Sequence, residues 1–278
     1  MLAIALGLID GRPDRCQSLH QDGCQSLHEE SVQTSRMANH LFPISLRKLT
    51  PLLDALYPPR CAGCQQSGYV LCPACIAKMP LLPLPVCLYC GSPLAQAGVC
   101  RFCQSHPPRI GALRAACVYQ EPLRGCIRAL KYTGNTRLAE PLGLLLAQAY
   151  RHYGIVADAL LPVPLHSERL KQRGYNHAAL LAEVCARRLR IPYVEDMLVR
   201  RRDTRPQVGL SHLDRLQNVQ DAFLCSPTFT RGQLRGRTLV ILDDVCTSGA
   251  TLEACAAPLF AAGAQAVLGL TLARPFAL

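Results

Sequence analysis

Beyond His106-Pro107-Pro108, hydrophobic and polar positions follow two alternating periods, one of strands and one of helices. Strands are expected at residues 112–119, 159–164, 197–201, 238–243 and 266–272, and helices at 122–131, 138–153, 176–189, 211–219 and 250–262. This alternation implies a parallel α/β sheet covered on both faces, with ligands at the C-terminal ends of its strands. The first forty residues have no such pattern. There Cys16-Gln17-Ser18-Leu19-His20 recurs as Cys24-Gln25-Ser26-Leu27-His28, and a disordered leader is expected over 1–45, with Met37 as an alternative start. A short amphipathic helix is expected at 46–56, stopping before Pro58-Pro59. The expected organisation is thus a leader (1–45), a helix with a cysteine-rich unit (46–108) and an α/β domain (109–278).

The 278 residues are 50% hydrophobic, enough for substantial cores. Tryptophan is absent and aromatic residues make up 5%, which argues against a surface built mainly for stacking unpaired bases. The formal charge is +11, and between Leu161 and Arg237 fourteen Lys/Arg face seven Asp/Glu. That excess favours polyphosphate or nucleic-acid ligands over a merely solvated basic face. The first nine residues lack a basic start and run into Asp10-Gly11-Arg12-Pro13-Asp14, and no apolar stretch suits a membrane span, so a cytoplasmic location is expected.

Sixteen cysteines sharpen the picture. Eight form four knuckles, Cys61/Cys64, Cys72/Cys75, Cys87/Cys90 and Cys100/Cys103, in which a turn aims two sulfurs at one ion. Two consecutive structural zinc ribbons are expected, with an interleaved pairing of the knuckles left open, and eight thiolates on two Zn²⁺ would lower the net charge to about +7. Four pairs in 43 residues exceed what a redox site uses. So small and proline-rich a unit has little core of its own, and zinc would have to hold it together. Cys117, Cys126, Cys185 and Cys255 sit in apolar patterns and read as core residues.

The stretch Val240-Ile241-Leu242-Asp243-Asp244-Val245-Cys246-Thr247-Ser248-Gly249-Ala250-Thr251 carries the most specific chemistry. A buried strand would present Asp243 and Asp244 to solvent at its end, and Thr247-Ser248-Gly249 would turn the backbone into a helix N-terminus, where amides and the dipole favour phosphate. Paired carboxylates suit two ribose hydroxyls or a hydrated Mg²⁺, whereas a helix cap needs only one acid. Two further segments fit the other half of such a site. Val163-Pro164-Leu165-His166 leads to Arg169, Lys171 and Arg173-Gly174-Tyr175-Asn176, three cations before a helix that Asn176 could cap; Arg200-Arg201-Arg202-Asp203-Thr204-Arg205-Pro206-Gln207 could close over a polyphosphate as a mobile cover.

The twelve-residue stretch resembles the phosphoribosyl-pyrophosphate signature of type I phosphoribosyltransferases, with Thr247 standing where the 6-oxopurine salvage enzymes carry a third acid. In order, the double ribbon, Leu130-Lys131-Tyr132, the Val163–Asn176 segment, Arg202, Thr204, Gln207, Leu210, Arg215 and Asn218, and the paired acids resemble the ComF/GntX family over about four fifths of the chain. The resemblance implies a parallel-sheet type I phosphoribosyltransferase fold with an N-terminal zinc-ribbon domain. It implies phosphoribosyl pyrophosphate bound with Mg²⁺: Asp243 and Asp244 on the ribose hydroxyls, Val245 and Cys246 to Thr251 around the 5′-phosphate, Val163 and Pro164 in the pyrophosphate loop, and Arg173 and Arg205 on the pyrophosphate. It further implies single-stranded DNA as a partner, with a competence helicase or DNA-processing proteins, in natural transformation or the use of external DNA. Only six residues follow Leu272, so the ribbon would take the place of a base-selecting hood, or the ligand would be bound without transfer. The competing readings are a catalytically silent zinc-ribbon DNA-binding adaptor, a phosphoribosyltransferase of nucleotide metabolism, and a nucleotide-responsive regulator, which lacks a helix-turn-helix.

Overall fold

A computed structural model describes residues 57–204, 212–229 and 231–275. The expected leader, the expected helix at 46–56, and Arg205, Gln207 and Leu210 lie outside the described residues. In chain order the elements are α1 (Pro73–Ala77), α2 (Arg101–Ser105), β1 (Ala112–Val118), α3 (Leu123–Tyr132), a 3₁₀ turn (Thr136–Leu138), α4 (Ala139–His152), β2 (Ala159–Pro162), α5 (Ser167–Arg173), α6 (His177–Leu189), β3 (Leu198–Arg200), α7 (His212–Val219), β4 (Phe223–Cys225), α8 (Arg231–Leu234), β5 (Thr238–Val245), α9 (Ala250–Ala261) and β6 (Ala266–Arg274).

The parallel sheet expected from the sequence is present, in the order β1-β6-β5-β2. Its central strand is apolar on both sides because both are covered. Val240 and Leu242 pack with Leu142, Leu146 and Leu181 of α4 and α6, while Leu239 and Ile241 pack with Leu252, Cys255 and Leu259 of α9. Among the described residues no helix is long and apolar enough to cross a membrane. Cys117, Cys126, Cys185 and Cys255 are fully buried, as their patterns suggest.

Four expectations need correction. The strand expected at 197–201 is not part of the parallel sheet: β3 pairs antiparallel with β4, a strand not foreseen, in a separate two-stranded sheet. β5 does not stop at Asp243 but runs to Val245, with Asp243 opposite Thr271 and Val245 opposite Ala273, so both acids belong to the strand. β6 likewise continues to Arg274. The turn expected after Pro164 contains α5, a helix with no buried residue, closed by Gly174 at φ 79°.

The cysteine-rich segment, expected to have little core of its own, packs into the core of the α/β unit. Cys61, Leu71, Cys72, Cys75 and Met79 share one core with Leu123, Cys126 and Ile127, and Leu82 and Val86 pack against Ala115 and Val118 of β1. The segment also runs along the free edge of β1: Leu82 N–H donates to Ala116 O at 3.2 Å, Val118 N–H to Pro80 O at 2.8 Å and Leu113 N–H to Tyr89 O at 2.6 Å. An edge strand that would otherwise expose unpaired backbone groups is thereby covered.

Helices α4 and α6 approach closely at Gly143, where an added Cβ would lie 2.6 Å from Val184 Cβ and 3.2 Å from Leu181 O. Gly143→Ala should therefore overpack this contact and destabilise the protein by about 1–3 kcal/mol, read as a lower urea midpoint at unchanged slope.

Candidate functional site

The four knuckles close into two separate centres. Cys61, Cys64, Cys72 and Cys75 form one set and Cys87, Cys90, Cys100 and Cys103 the other, with the four sulfurs of each set mutually within 4.8 Å. The consecutive pairing is the one present. Backbone amides point at the sulfurs: Cys72 N–H donates to Cys61 Sγ at 3.3 Å and Cys75 N–H to Cys72 Sγ at 3.4 Å, and Cys100 and Cys103 repeat this on Cys87 and Cys100. Burial alone would raise the Cys61 thiol, but the amides of Cys72, Cys64 and Gly63 outweigh it and bring it down to about 6. At Cys87 the amides of Cys100, Cys90 and Tyr89 likewise overcome burial, again to about 6. Four converging thiols with amide donors on their sulfurs suit Zn²⁺.

At the end of β5 the two acids part company. Asp244, expected to face solvent, is 3% exposed. Its Oδ2 lies 2.5 Å from Lys131 Nζ, at the end of α3, and its Oδ1 lies 3.5 Å from His177 Nε2, in the first turn of α6. Burial would raise the Asp244 carboxyl, but Lys131 and His177 outweigh it and hold it far below the carboxylate range. Burial would equally lower the Lys131 ammonium, which Asp244 and Asp243 hold above its ordinary value. Asp243 remains partly accessible; its Oδ1 accepts from the Asp244 amide at 2.8 Å. Burial, with the Asp244 charge beside it, pushes the Asp243 carboxyl up to about 7.

The turn after β5 is built as expected. Cys246 N–H is bound by Ala273 O at 2.9 Å, continuing the pairing to β6, and Gly249 at φ 85° caps α9. That left-handed conformation suits glycine. The amides of Thr247 and Ser248 take no backbone carbonyl among the described residues. Thr247 is exposed, Ser248 and Thr251 are partly exposed, and Ala250 is buried at the helix start. Val245 is partly buried in the strand, and burial pushes the Cys246 thiol up to about 11.

Arg173 joins the acids through His177, its Nη1 lying 2.8 Å from His177 Nδ1 and its guanidinium 5.3 Å from the centre of the Tyr132 ring. Burial lowers the His177 imidazole below its ordinary value. Asn176 caps α6 as expected, accepting from Ala178 N–H at 3.0 Å. Its Nδ2 donates to Val163 O at 3.0 Å, and Val163 N–H pairs with Leu242 O, so Val163 anchors the loop with its backbone; Pro164 beside it is partly exposed. The Arg200–Arg202 run divides its work. Arg202 donates to the carbonyls of Asn218 and Gln220, and Arg201 to Asp221 O, so both are held at the C-terminal end of α7. Arg200 bonds Thr204 Oγ1, lies over the Phe223 ring and feels the Asp243 charge, while Arg169 donates to Thr204 O at 2.8 Å. Arg169 thus fastens the loop after β3 to α5, while Arg200 ties that loop to β3 and β4. Sequence reasoning did not single out Lys131 or His177 as site residues, although Lys131 stood within a quoted motif.

A groove of about 510 Å³ opens beside this site, between the first cysteine centre and α3, lined by Arg60, Gln65, Arg128, Tyr132 and Asn135 among others.

A family model described as a double zinc ribbon domain matches residues 52–104. The chain is 32% identical over 204 residues to competence protein F of Haemophilus influenzae, a match covering 70% of this chain and 87% of that protein. It is 32% identical over 188 residues to DNA utilization protein YhgH of Escherichia coli, covering 66% and 81%, and 26% identical over 212 residues to competence protein ComFC of Bacillus subtilis, covering 73% and 84%. Among solved structures, glutamine phosphoribosylpyrophosphate amidotransferase from B. subtilis complexed with ADP and GMP is similar at TM-score 0.35 and 22% identity, over 52% of this chain and 30% of that one. A structure titled as the allosteric regulatory enzyme of purine biosynthesis is similar at TM-score 0.33 and 22% identity, over 48% and 26%.

The raised Asp243 carboxyl has a measurable cost. A carboxyl that ionises near 7 in the folded chain and near its ordinary 3.8 in the unfolded one stabilises the fold fully only below the lower value, and that contribution is lost as pH rises through about 7. Asp243→Asn should therefore raise the ligand-free thermal midpoint above wild type by a margin that widens from pH 5 to pH 8 and then levels off, as scanning calorimetry would record.

Proposed function

The chain belongs to the ComF family of competence protein F, ComFC and YhgH, and on that premise we propose that it binds phosphoribosyl pyrophosphate with Mg²⁺ at the end of β5. The observation that carries this reading is the pairing of a fixed acid with a free one beside a phosphate-type turn. Asp244 is neutralised from two helices, Asp243 stays accessible, and Gly249 turns the chain into α9 directly after them. In this reading Asp243 accepts the ribose hydroxyls, and the Thr247–Gly249 turn with the N-terminal end of α9 takes the 5′-phosphate. Arg173, with Arg205, meets the pyrophosphate, whose charge they would stabilise as it departs. His177 holds Arg173 on one nitrogen and Asp244 on the other, so one buried ring positions the pyrophosphate contact against the acid that adjoins the ribose contact.

The donor set fits Mg²⁺ bound mainly through its ligand. His177 and Asp244 are already engaged with one another and with Lys131, leaving Asp243 as the carboxylate for the ion. Mg²⁺ commonly takes one or two carboxylates together with substrate phosphates and water. When bound, the ion would neutralise pyrophosphate charge. The accessible acid gives the direct test: Asp243→Ala should weaken calorimetric binding of phosphoribosyl pyrophosphate by about 100-fold or more while two zinc ions per chain remain. Unaltered affinity would sink the assignment.

The DNA part of the reading is supported by the groove beside α3, whose Arg60 and Arg128 suit phosphate and whose Tyr132 suits a stacked base. Arg60→Glu with Arg128→Glu should weaken binding of a single-stranded oligonucleotide and flatten its dependence on salt, with a slope reduced by about 1–2 in a log–log plot. An unchanged slope would remove the groove from consideration.

The same ion pair favours a second reading, a binding module without turnover: with Asp244 spent on Lys131 and His177, one acid faces the ribose. Incubation with phosphoribosyl pyrophosphate, Mg²⁺ and a panel of bases, amines and DNA separates the two. Pyrophosphate release with an acceptor marks a transferase, and binding without release marks the module.

A further inference from the structure

The two cysteine centres are tied to different parts of the fold. The first abuts the start of α3, where an added Cβ at Gly63 would lie 3.0 Å from Pro122 Cβ. The second reaches the turn after β5 by three routes. Arg274, 8% exposed at the end of β6, donates from Nη1 to Cys90 O at 2.5 Å and from Nη2 to Ser92 Oγ at 2.8 Å, and its Nη1 stands 3.5 Å from Cys246 Sγ. Leu113 is held between both: an added Cβ at Gly91 would lie 2.3 Å from its carbonyl oxygen, and one at Gly249 would lie 2.6 Å from its Cδ1. Glu253, in the first turn of α9, accepts from the amides of Arg109 at 2.6 Å and Ile110 at 3.1 Å, just beyond the last knuckle.

From these contacts we infer that the second zinc centre sets the shape of the phosphate-binding turn, with Arg274 as the positioning residue that transmits its state. The argument is mechanical. Zinc on Cys87, Cys90, Cys100 and Cys103 fixes the Cys90–Ser92 segment, whose Cys90 carbonyl and Ser92 hydroxyl are the acceptors of a buried guanidinium. Without them Arg274 would be a buried charge lacking its partners, a costly state that must relax. Its relaxation releases the Cys246 side chain, and Leu113 loses the knuckle pressing on it from the other side. Because the coupling is thermodynamic, it is reciprocal: a ligand that holds the turn also holds zinc in the second centre and not in the first. The ligand side of this inference rests on reading the turn as a 5′-phosphate site.

The test uses the full chain with both centres loaded. Arg274→Gln should retain two zinc ions, bind ribose 5-phosphate about tenfold more weakly, and bind inorganic pyrophosphate as wild type does, since pyrophosphate meets Arg173 and not the turn. A general loss of stability would weaken both ligands. Amide hydrogen exchange over residues 246–251 should quicken in Arg274→Gln, and Arg274→Lys should recover part of the loss. Ribose 5-phosphate should slow chelator removal of one zinc ion of the two. Unchanged exchange over 246–251 in Arg274→Gln, or equal weakening of both ligands, would overturn the inference. Should wild type bind neither ligand, the phosphoribosyl reading fails alone, and Cys100→Ser then decides the coupling: faster exchange over 246–251 upholds it and unchanged exchange overturns it.

Discussion

A carboxylate taken out of water at the end of a sheet governs the architecture around it. Asp244 is almost wholly enclosed, and a buried charge is tolerated only when paired. Its partners come from outside its own strand, Lys131 from the last turn of α3 and His177 from the first turn of α6. The candidate site therefore cannot assemble before both helices have docked on that face of the sheet. The same pairing leaves Asp243 without a cation as close, so burial and its charged neighbour keep it hard to ionise. One acid serves the fold and the other stays partly accessible.

The apolar patterns made most of the sheet and its large helices legible, because α4, α6, β5 and α9 bury the residues that set their periods. What escaped lacked such a signal. Helix α5 buries nothing, so no stripe marks it, and β3 and β4 are three-residue strands whose pairing is with each other. The two acids looked like the end of a strand because charge at that point suggests solvent, whereas the β6 ladder carries the strand past them. His177 gave no warning either. It follows the capping Asn176 and opens an alanine-rich face, and nothing local shows that a carboxylate waits opposite. The knuckle spacing, by contrast, made the cysteine sets legible, since a turn of that length admits few geometries, although only the folded chain chooses between consecutive and interleaved pairing.

The ribbon segment is less an appendage than a third wall of the α/β unit. Its first centre contributes Cys61, Cys72 and Cys75 to the core that also holds α3 and α4, and its second lies against β1 and the end of β6. Metal binding, folding free energy and the geometry of the candidate site are consequently linked, as they are whenever a metal orders residues that other elements need.

The strand order carries a consequence for how the chain comes together in time. β6, the last strand of the sheet in sequence, lies between β1, the first, and β5. During synthesis β1 emerges with no strand available for either flank, and over one hundred and forty residues pass before its sheet neighbour is made. The cysteine-rich segment precedes it and can pair with one flank at once. A ribosome-bound chain would thus carry β1 half-shielded, with the opposite flank open to chaperones or to misassociation until β6 slots between its neighbours.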